Sequence, residues 1–184
     1  MKILFLVLGL VLTNISVEAQ AKSINSNEVR IEVSQKVNAL QAIIIRPKLT
    51  YKSSDKITLP VLLVNSGKTD IYVFGTLGWG HSASLILHVR DAAGNEIEPV
   101  GFPDDQTHFS RDDNSAFVKL IPNHFLGTNF FAPLNILNLN RPGRYTVWVE
   151  YHCPISTDDV SVRPFWGSES GTIKSNAIQI DVVR

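Results

Sequence analysis

The chain has 184 residues, with 17 basic and 17 acidic side chains, 44% hydrophobic and 18% charged residues, and one cysteine. Neutral charge argues against nucleic-acid binding, which needs an excess of Lys and Arg to neutralise phosphates, and the low charged fraction argues against a disordered chain. One cysteine excludes an internal disulfide framework and a zinc site made of several thiolates. The length suits a single domain with a sizeable core.

The N-terminus has the pattern of a secretory signal peptide. Lys2 precedes an apolar run from Ile3 to Leu12, and small residues follow up to Ala19 and Ala21. The run of about ten residues is much shorter than the roughly 20 that span a bilayer, but it suits the apolar region of a signal peptide. We therefore expect cleavage after Ala19 or Ala21, a secreted or periplasmic protein, and no membrane span after signal removal.

The remaining chain alternates apolar and polar residues with the period of two that is typical of half-buried strands. Strands are predicted around residues 29–33, 43–45, 57–64, 70–74, 85–90, 117–121, 145–151 and 177–183. The stretch 124–140 could hold a helical turn or two, although Pro133 limits it. We expect a signal peptide at 1–19, a polar lead-in at 20–28 and one all-β domain at 29–184.

One short motif gives the most specific indication of the fold. Tyr145 begins a late strand, with Gly143 two residues and Leu139 six residues before it. This spacing resembles the tyrosine corner of Greek-key sandwiches, in which the Tyr hydroxyl binds the backbone of a connection between sheets. The chain is thereby similar to exported bacterial immunoglobulin-like and fibronectin III-like modules. The resemblance implies an antiparallel immunoglobulin-like β-sandwich of seven to nine strands, with Leu139, Gly143 and Tyr145 as its structural corner.

The sequence contains no recognisable catalytic motif, phosphate-binding loop or metal-ligand spacing. We therefore expect no enzyme, no catalytic residue, no cofactor and no metal. An enzymatic alternative would require His152 or Glu169 to meet another polar side chain in a cleft. The acidic segment 104–114 has enough carboxylates for Ca²⁺ but not the EF-hand spacing. A solvated acidic loop is the simpler interpretation of this segment, and Ca²⁺ binding is left open.

Cys153 follows the strand phase of Tyr145, Val147, Val149 and Tyr151, which is the inward phase. A buried and chemically inert thiol is therefore expected. An intermolecular disulfide or a reactive thiol are the alternatives.

Two loops, 75–81 and 152–171, contain aromatic residues, and the second is much longer than the usual hairpin loop of two to five residues. The candidate contact residues in them are Trp79, His81, Arg163, Phe165 and Trp166. Exposed on a rigid scaffold, these residues would suit recognition of a protein or a glycan. Alternatively, the aromatic rings fold back and close the ends of the sandwich. The leading hypothesis is an exported, non-enzymatic binding module.

An extracytoplasmic protease inhibitor is the second hypothesis. The segment Arg163-Pro164-Phe165-Trp166 resembles the Arg-Pro-Trp loop of chagasin-type cysteine-protease inhibitors, although their Asn-Pro-Thr-Thr-Gly loop is absent here. The strand-and-turn pattern around Asn65 and Gly143 is similar to the BsuPI-type inhibitors. Both resemblances imply an immunoglobulin-like or related β-sandwich that binds a protease.

Overall fold

The computed structural model describes residues 36–184, except Asn38, Thr107, Arg111 and Asp112. The predicted signal peptide at 1–19, the lead-in at 20–28 and the strand at 29–33 lie outside the described residues. All described residues belong to one compact unit, Ile31–Arg184.

The described residues form eleven strands and three short 3₁₀ turns. The strands are β1 (Lys36–Val37), β2 (Leu40–Ile44), β3 (Thr50–Lys52), β4 (Lys56–Asn65), β5 (Ile71–Phe74), β6 (Leu85–Arg90), β7 (Phe117–Leu120), β8 (Phe125–Pro133), β9 (Gly143–Tyr151), β10 (Ile173–Lys174) and β11 (Ile178–Val183). The 3₁₀ turns are Asn114–Ala116, Thr157–Asp159 and Ser168–Ser170. Since the described residues contain no α-helix, the predicted all-β class is confirmed. The number of strands exceeds seven to nine because β5 and β7 form a small sheet of their own.

The strands form two larger sheets and the β5–β7 pair. The first sheet has the order β1-β2-β4-β8, and the second has the order β10-β9-β11-β3, with β6 also paired to β9. The predicted antiparallel arrangement holds for the paired strands except β3 and β11, which are parallel. Pro47 lies between β2 and β3, where the chain leaves the first sheet and joins the second alongside its last strand.

The core follows from the alternation of side chains along the longest strands. In the first sheet β4 buries Ile57, Leu59, Val61 and Leu63. In the second sheet β9 buries Tyr145, Val147, Val149 and Tyr151. Side chains from all three sheets join one hydrophobic cluster. Burial of this apolar surface is the main favourable contribution to folding.

The stretch 124–140 differs from its prediction. Residues Phe125–Pro133 form β8, which pairs with β4 along its whole length. Cross-strand pairing and the inward-facing Phe130 and Ala132 favour a strand over the local helical alternative. A run of turns follows at 134–138, in which the N–H of Leu137 donates to the carbonyl of Leu134 at 3.1 Å.

The connection before β9 is held by Tyr145. Its hydroxyl donates a hydrogen bond of 2.7 Å to the carbonyl of Arg141, four residues earlier. Leu139 is completely buried beneath this connection. A Cβ atom on Gly143 would lie 3.7 Å from the Tyr145 ring, which is an ordinary van der Waals distance, so the space at this position does not itself require glycine.

Candidate functional site

The aromatic residues that the sequence offers as contacts lie in the core. Trp79 and Phe165 are each 7% exposed, and Trp166 is 1% exposed. The ring of Trp79 lies 5.0 Å from that of Phe130, and the ring of Phe165 lies 5.2 Å from that of Phe117. The aromatic rings of both loops therefore fold back into the core instead of facing solvent. There the Trp79 and Phe165 rings pack edge-on against other aromatic rings, which is a favoured arrangement.

The end of the long loop is fixed to β5 by its backbone. The N–H of Tyr72 donates to the carbonyl of Pro164 at 2.7 Å, and the N–H of Trp166 donates to the carbonyl of Tyr72 at 2.9 Å. The exposed Arg163 directs its guanidinium to the carbonyls of Val160, Val162 and Thr157, at 2.7, 2.8 and 2.9 Å. The Arg163 guanidinium therefore makes its hydrogen bonds within its own loop.

The acidic segment is tied to the 75–81 loop. Asp104 accepts hydrogen bonds from the N–H and hydroxyl of Ser82, at 2.6 and 2.9 Å, and Asp105 accepts one from the N–H of Trp79 at 2.8 Å. The bonds from Ser82 lower the pKa of Asp104. Gly80 permits this close approach, because it has φ of +122° and a Cβ there would lie 2.4 Å from the Asp104 Cα. These carboxylates thus serve as backbone acceptors, and the described residues contain no group of three His, Cys, Asp or Glu side chains able to hold a metal ion.

An open groove of about 630 Å³ lies along the outer side of β6. Its walls come from the 75–81 loop, from β6 and from the segment 96–104. Its polar lining residues are His81, His88, Glu96, Glu98 and Asp104. Its apolar lining residues include Ile86, Ile97, Pro99, Phe102 and Pro103. Among the predicted contact residues, His81 is exposed and lines this groove.

The His88 ring is held by a hydrogen bond at Nδ1 and by stacking on one face, whereas its buried Nε2 has no hydrogen-bond partner among the described residues. Its Nδ1 lies 2.8 Å from the Glu96 Oε1, and its Nε2 lies 3.6 Å from the Glu150 Oε2. The ring stacks on Trp148, with centroids 5.0 Å apart and planes 4° apart. The hydrogen bond from His88 lowers the pKa of Glu96. Glu96 is therefore a charged carboxylate at neutral pH, fixed at the edge of the groove.

Trp148 lies on the outer face of β9, against the groove-lining His88, and is 3% exposed. The register of β6 and β9 places it directly opposite His88. The Arg90 guanidinium lies 4.6 Å and the Lys174 Nζ 4.8 Å from its ring centroid. These cation–π contacts cover the indole with the long polar side chains of Arg90 and Lys174.

The groove carries more acid than base. Glu96, Glu98 and Asp104 supply three carboxylates, against the imidazoles of His81 and His88. Glu98 is exposed, and no partner for its carboxylate is found in the part of the chain that the structure describes. A groove with apolar walls and excess carboxylate is suited to a cation carried on an aliphatic stem.

Sequence reasoning missed His88, Glu96, Glu98 and Trp148 as members of one site. The alternation along β6 and β9 places His88 and Trp148 on outward faces, which is readable from the sequence. The register that sets the two rings opposite each other depends on long-range pairing. Glu96 and Glu98 are two of several acidic residues between positions 91 and 113. No local sequence pattern distinguishes them from the other acidic residues as members of a site.

The remaining candidates serve the structure. Cys153 is 1% exposed, and burial raises the pKa of its thiol to about 11. Hydrogen bonds from Ser156 and Thr157 lower the pKa of Glu169 to about 2. The Glu169 carboxylate accepts from the Thr157 N–H at 3.0 Å and thereby anchors the Thr157–Asp159 turn. His152 is half-buried, and burial lowers its pKa.

The chain matches no protein-family model and no curated protein. Among solved structures it is similar to a β-glucosidase from Erythrobacter marinus, with 15% identity and a TM-score of 0.35. The match covers 82% of this chain and 16% of the β-glucosidase chain. The prediction that the protein is not an enzyme is contradicted by this comparison, because the similar structure belongs to an enzyme. At this TM-score the likeness assigns no activity to the chain.

Across the described residues, no helix is long and apolar enough to cross a membrane.

Proposed function

We propose that the chain is an exported immunoglobulin-like binding module that holds a positively charged segment of a protein partner in the groove beside β6. The observation that carries this proposal is the lining of the groove, where three carboxylates stand at the edge of apolar walls. The partner would thus contact the groove that His81 lines, and not the aromatic rings of the two loops, which are buried.

Several features support the immunoglobulin-like topology within this proposal. The two larger sheets hold nine strands, of which β1 and β10 have only two residues each. The Tyr145 hydroxyl donates to the connection before β9, as in a tyrosine corner. β9 pairs with β6, β10 and β11, so its neighbours come from the middle and the end of the chain, as expected of Greek-key connections.

The shape and charge of the groove favour a cationic side chain. Its volume of about 630 Å³ lies within the range of roughly 300–1,000 Å³ that is usual for ligand sites. The aliphatic stem of a Lys or Arg would pack on Ile97 and Phe102, and its charged head would reach Glu96 or Glu98. Because His88 already holds Glu96 at 2.8 Å, little side-chain entropy is lost when a ligand binds there.

The other candidate partners receive less support. A glycan would use the same carboxylates as acceptors for its hydroxyls, but the aromatic rings expected to contact it are buried. A protease inhibitor would need Arg163, Phe165 and Trp166 presented together. Arg163 is bound to backbone carbonyls of its own loop, and the two rings are in the core.

The proposal is tested by measuring the affinity of purified protein for hexalysine, hexaglutamate and a neutral oligosaccharide by isothermal titration calorimetry. We expect binding of hexalysine alone, weakened by salt because the contacts are charged and near solvent. Replacement of both Glu96 and Glu98 by Gln should weaken binding about tenfold, since each exposed ion pair contributes up to about 1 kcal/mol.

Asp158→Asn is the matched control for these variants. Asp158 is exposed and does not line the groove, so its replacement should leave hexalysine binding unchanged. Equal binding of hexalysine to the Glu96/Glu98 variant and to wild type would contradict the proposed site. Binding of the oligosaccharide in preference to hexalysine would replace the protein partner with a glycan.

A further inference from the structure

Among the described residues, the first sheet ends in a strand whose outer backbone edge has no partner strand. β8 is the last strand of the order β1-β2-β4-β8 and pairs with β4 on one side only. At the turn before β8, the N–H of Asn65 donates to the carbonyl of His124 at 3.0 Å. In an antiparallel ladder the backbone groups of successive residues point alternately to the two sides. The even-numbered residues of β8 therefore point to β4, and the odd-numbered residues point to the open side.

The residues whose backbone groups face the open side are exposed. They are Phe125, Gly127, Asn129 and Phe131. Within the described part of the chain, no hydrogen bond to the N–H or carbonyl of any of the four is found on that side. Unpaired edge groups of this kind are a template for another strand.

The side chains of β8 give this edge little protection, and a nearby charge is that of Lys56 of β4, whose Nζ lies 5.2 Å from the Phe131 ring centroid. Natural edge strands are commonly shielded by Lys, Pro, bulges or inward-pointing charges. The nine residues Phe125–Pro133 contain no charged side chain, and the only proline is the last of them. On the outward face, Phe125 is 61% and Phe131 62% exposed. Two large apolar side chains are thus exposed to water on one face of β8, which is typical of a surface that contacts a partner.

We propose that β8 pairs with β8 of a second copy of this chain, antiparallel and with the two-fold axis at Thr128. In this register Phe125 of each copy lies opposite Phe131 of the other, and Gly127 lies opposite Asn129. In both pairs, the backbone N–H and carbonyl groups of the two residues point towards each other. The unpaired N–H and carbonyl groups of one copy therefore form hydrogen bonds with those of the other. The two four-stranded sheets become one continuous sheet of eight strands.

The sequence of β8 suits a second copy of the chain as the partner. Read outward from Thr128 in both directions, it gives Gly127 and Asn129, then Leu126 and Phe130, then Phe125 and Phe131. Small or polar residues thus stand at the centre, and apolar pairs stand on both sides on each face. Two copies also meet without charge repulsion, because β8 carries no charge and the whole chain has a formal net charge of zero. A two-fold interface requires this self-complementarity.

The register is tested with charges placed at the two aromatic positions. In Phe125→Lys/Phe131→Lys the paired positions carry like charges. In Phe125→Lys/Phe131→Glu each Lys lies opposite a Glu of the other copy. Both variants place two charges on the same exposed positions. They differ in whether the register is attractive or repulsive, and in the charge placed beside Lys56 of the same chain, whose Nζ lies 5.2 Å from the Phe131 ring centroid. Leu49→Lys/Val100→Lys is the control, because both residues are exposed apolar residues outside β8.

Sedimentation equilibrium at about 100 µM, where a dimer with Kd of about 10 µM is mostly associated, gives the readout. We expect twice the monomer mass for wild type, the control and the Lys/Glu variant, and the monomer mass for the Lys/Lys variant. Addition of salt should dissociate the Lys/Glu variant more than wild type. Circular dichroism establishes that each variant is folded, and Asn129→Pro, which removes an edge N–H, is a second variant expected to be monomeric.

Monomeric wild type at this concentration would overturn the proposal. A dimeric Lys/Lys variant would also overturn it, because the interface would then lie elsewhere. If the Lys/Glu and Lys/Lys variants were equally monomeric while both were folded, the register centred on Thr128 would be wrong. None of these outcomes depends on the ligand of the groove beside β6.

Discussion

Replacement of Trp166 by Ala tests whether the long loop contributes to the core. Trp166 is 1% exposed, so nearly all of its side chain leaves water on folding. An aromatic side chain buries about 150–250 Å², and about 200 Å² at roughly 25 cal/mol per Å² corresponds to about 5 kcal/mol. Alanine keeps its own methyl group and the unfolded chain already hides part of this area. We therefore expect a loss of about 3–5 kcal/mol in the free energy of unfolding, as for other buried aromatic residues.

The measurement is urea denaturation of dilute protein, followed by far-ultraviolet circular dichroism. Leu49→Ala is the control, because Leu49 is 49% exposed and exposed substitutions usually change stability by less than about 0.5 kcal/mol. A loss below about 1 kcal/mol in Trp166→Ala would show that the Trp166 ring contributes little to the core. Trp166 would then be free to contact a partner, as the alternative interpretation of the loop requires.

Two further predictions concern the loop and the corner. Tyr145→Phe removes the hydrogen bond to the Arg141 carbonyl and should cost about 0.5–1.5 kcal/mol in the free energy of unfolding, and an unchanged urea midpoint would contradict a role for this bond. Glu169→Gln should alter the pH dependence of stability. Hydrogen bonds lower the pKa of Glu169 from its ordinary value of 4.5 to about 2, so its contribution is fully present above pH 4.5 and is lost as pH falls towards 2. The difference between wild type and Glu169→Gln should therefore shrink on acidification in urea titrations, and a difference that grows at low pH would contradict the assignment.

Local patterns predicted the strands well where one face is buried. β4, β6, β9 and β11 lie close to the segments whose apolar residues alternate, because the inward face of each strand joins the core. β8 was harder to predict as a strand from its sequence. Its sequence Phe125–Pro133 permits a helical turn locally, and the pairing with β4 that makes it a strand joins segments far apart in sequence.

The candidate site was less predictable than the fold. Trp79, Phe165 and Trp166 occur in Gly- and Pro-containing loops, and composition alone does not distinguish an exposed ring from one that folds back. The groove depends on the register of β6 against β9 and on the path of the segment 96–104. Neither is encoded in a short motif, and only His81 belongs both to the predicted contact residues and to the groove.

Binding of a positively charged segment in the groove beside β6 can be located residue by residue in the ¹H–¹⁵N NMR spectrum of the purified protein during a titration with hexalysine. We expect the largest shift changes at His81, at residues 86–88 and at residues 96–104, with little change at residues 157–166. Shift changes centred on residues 157–166, or no change at any residue, would contradict it.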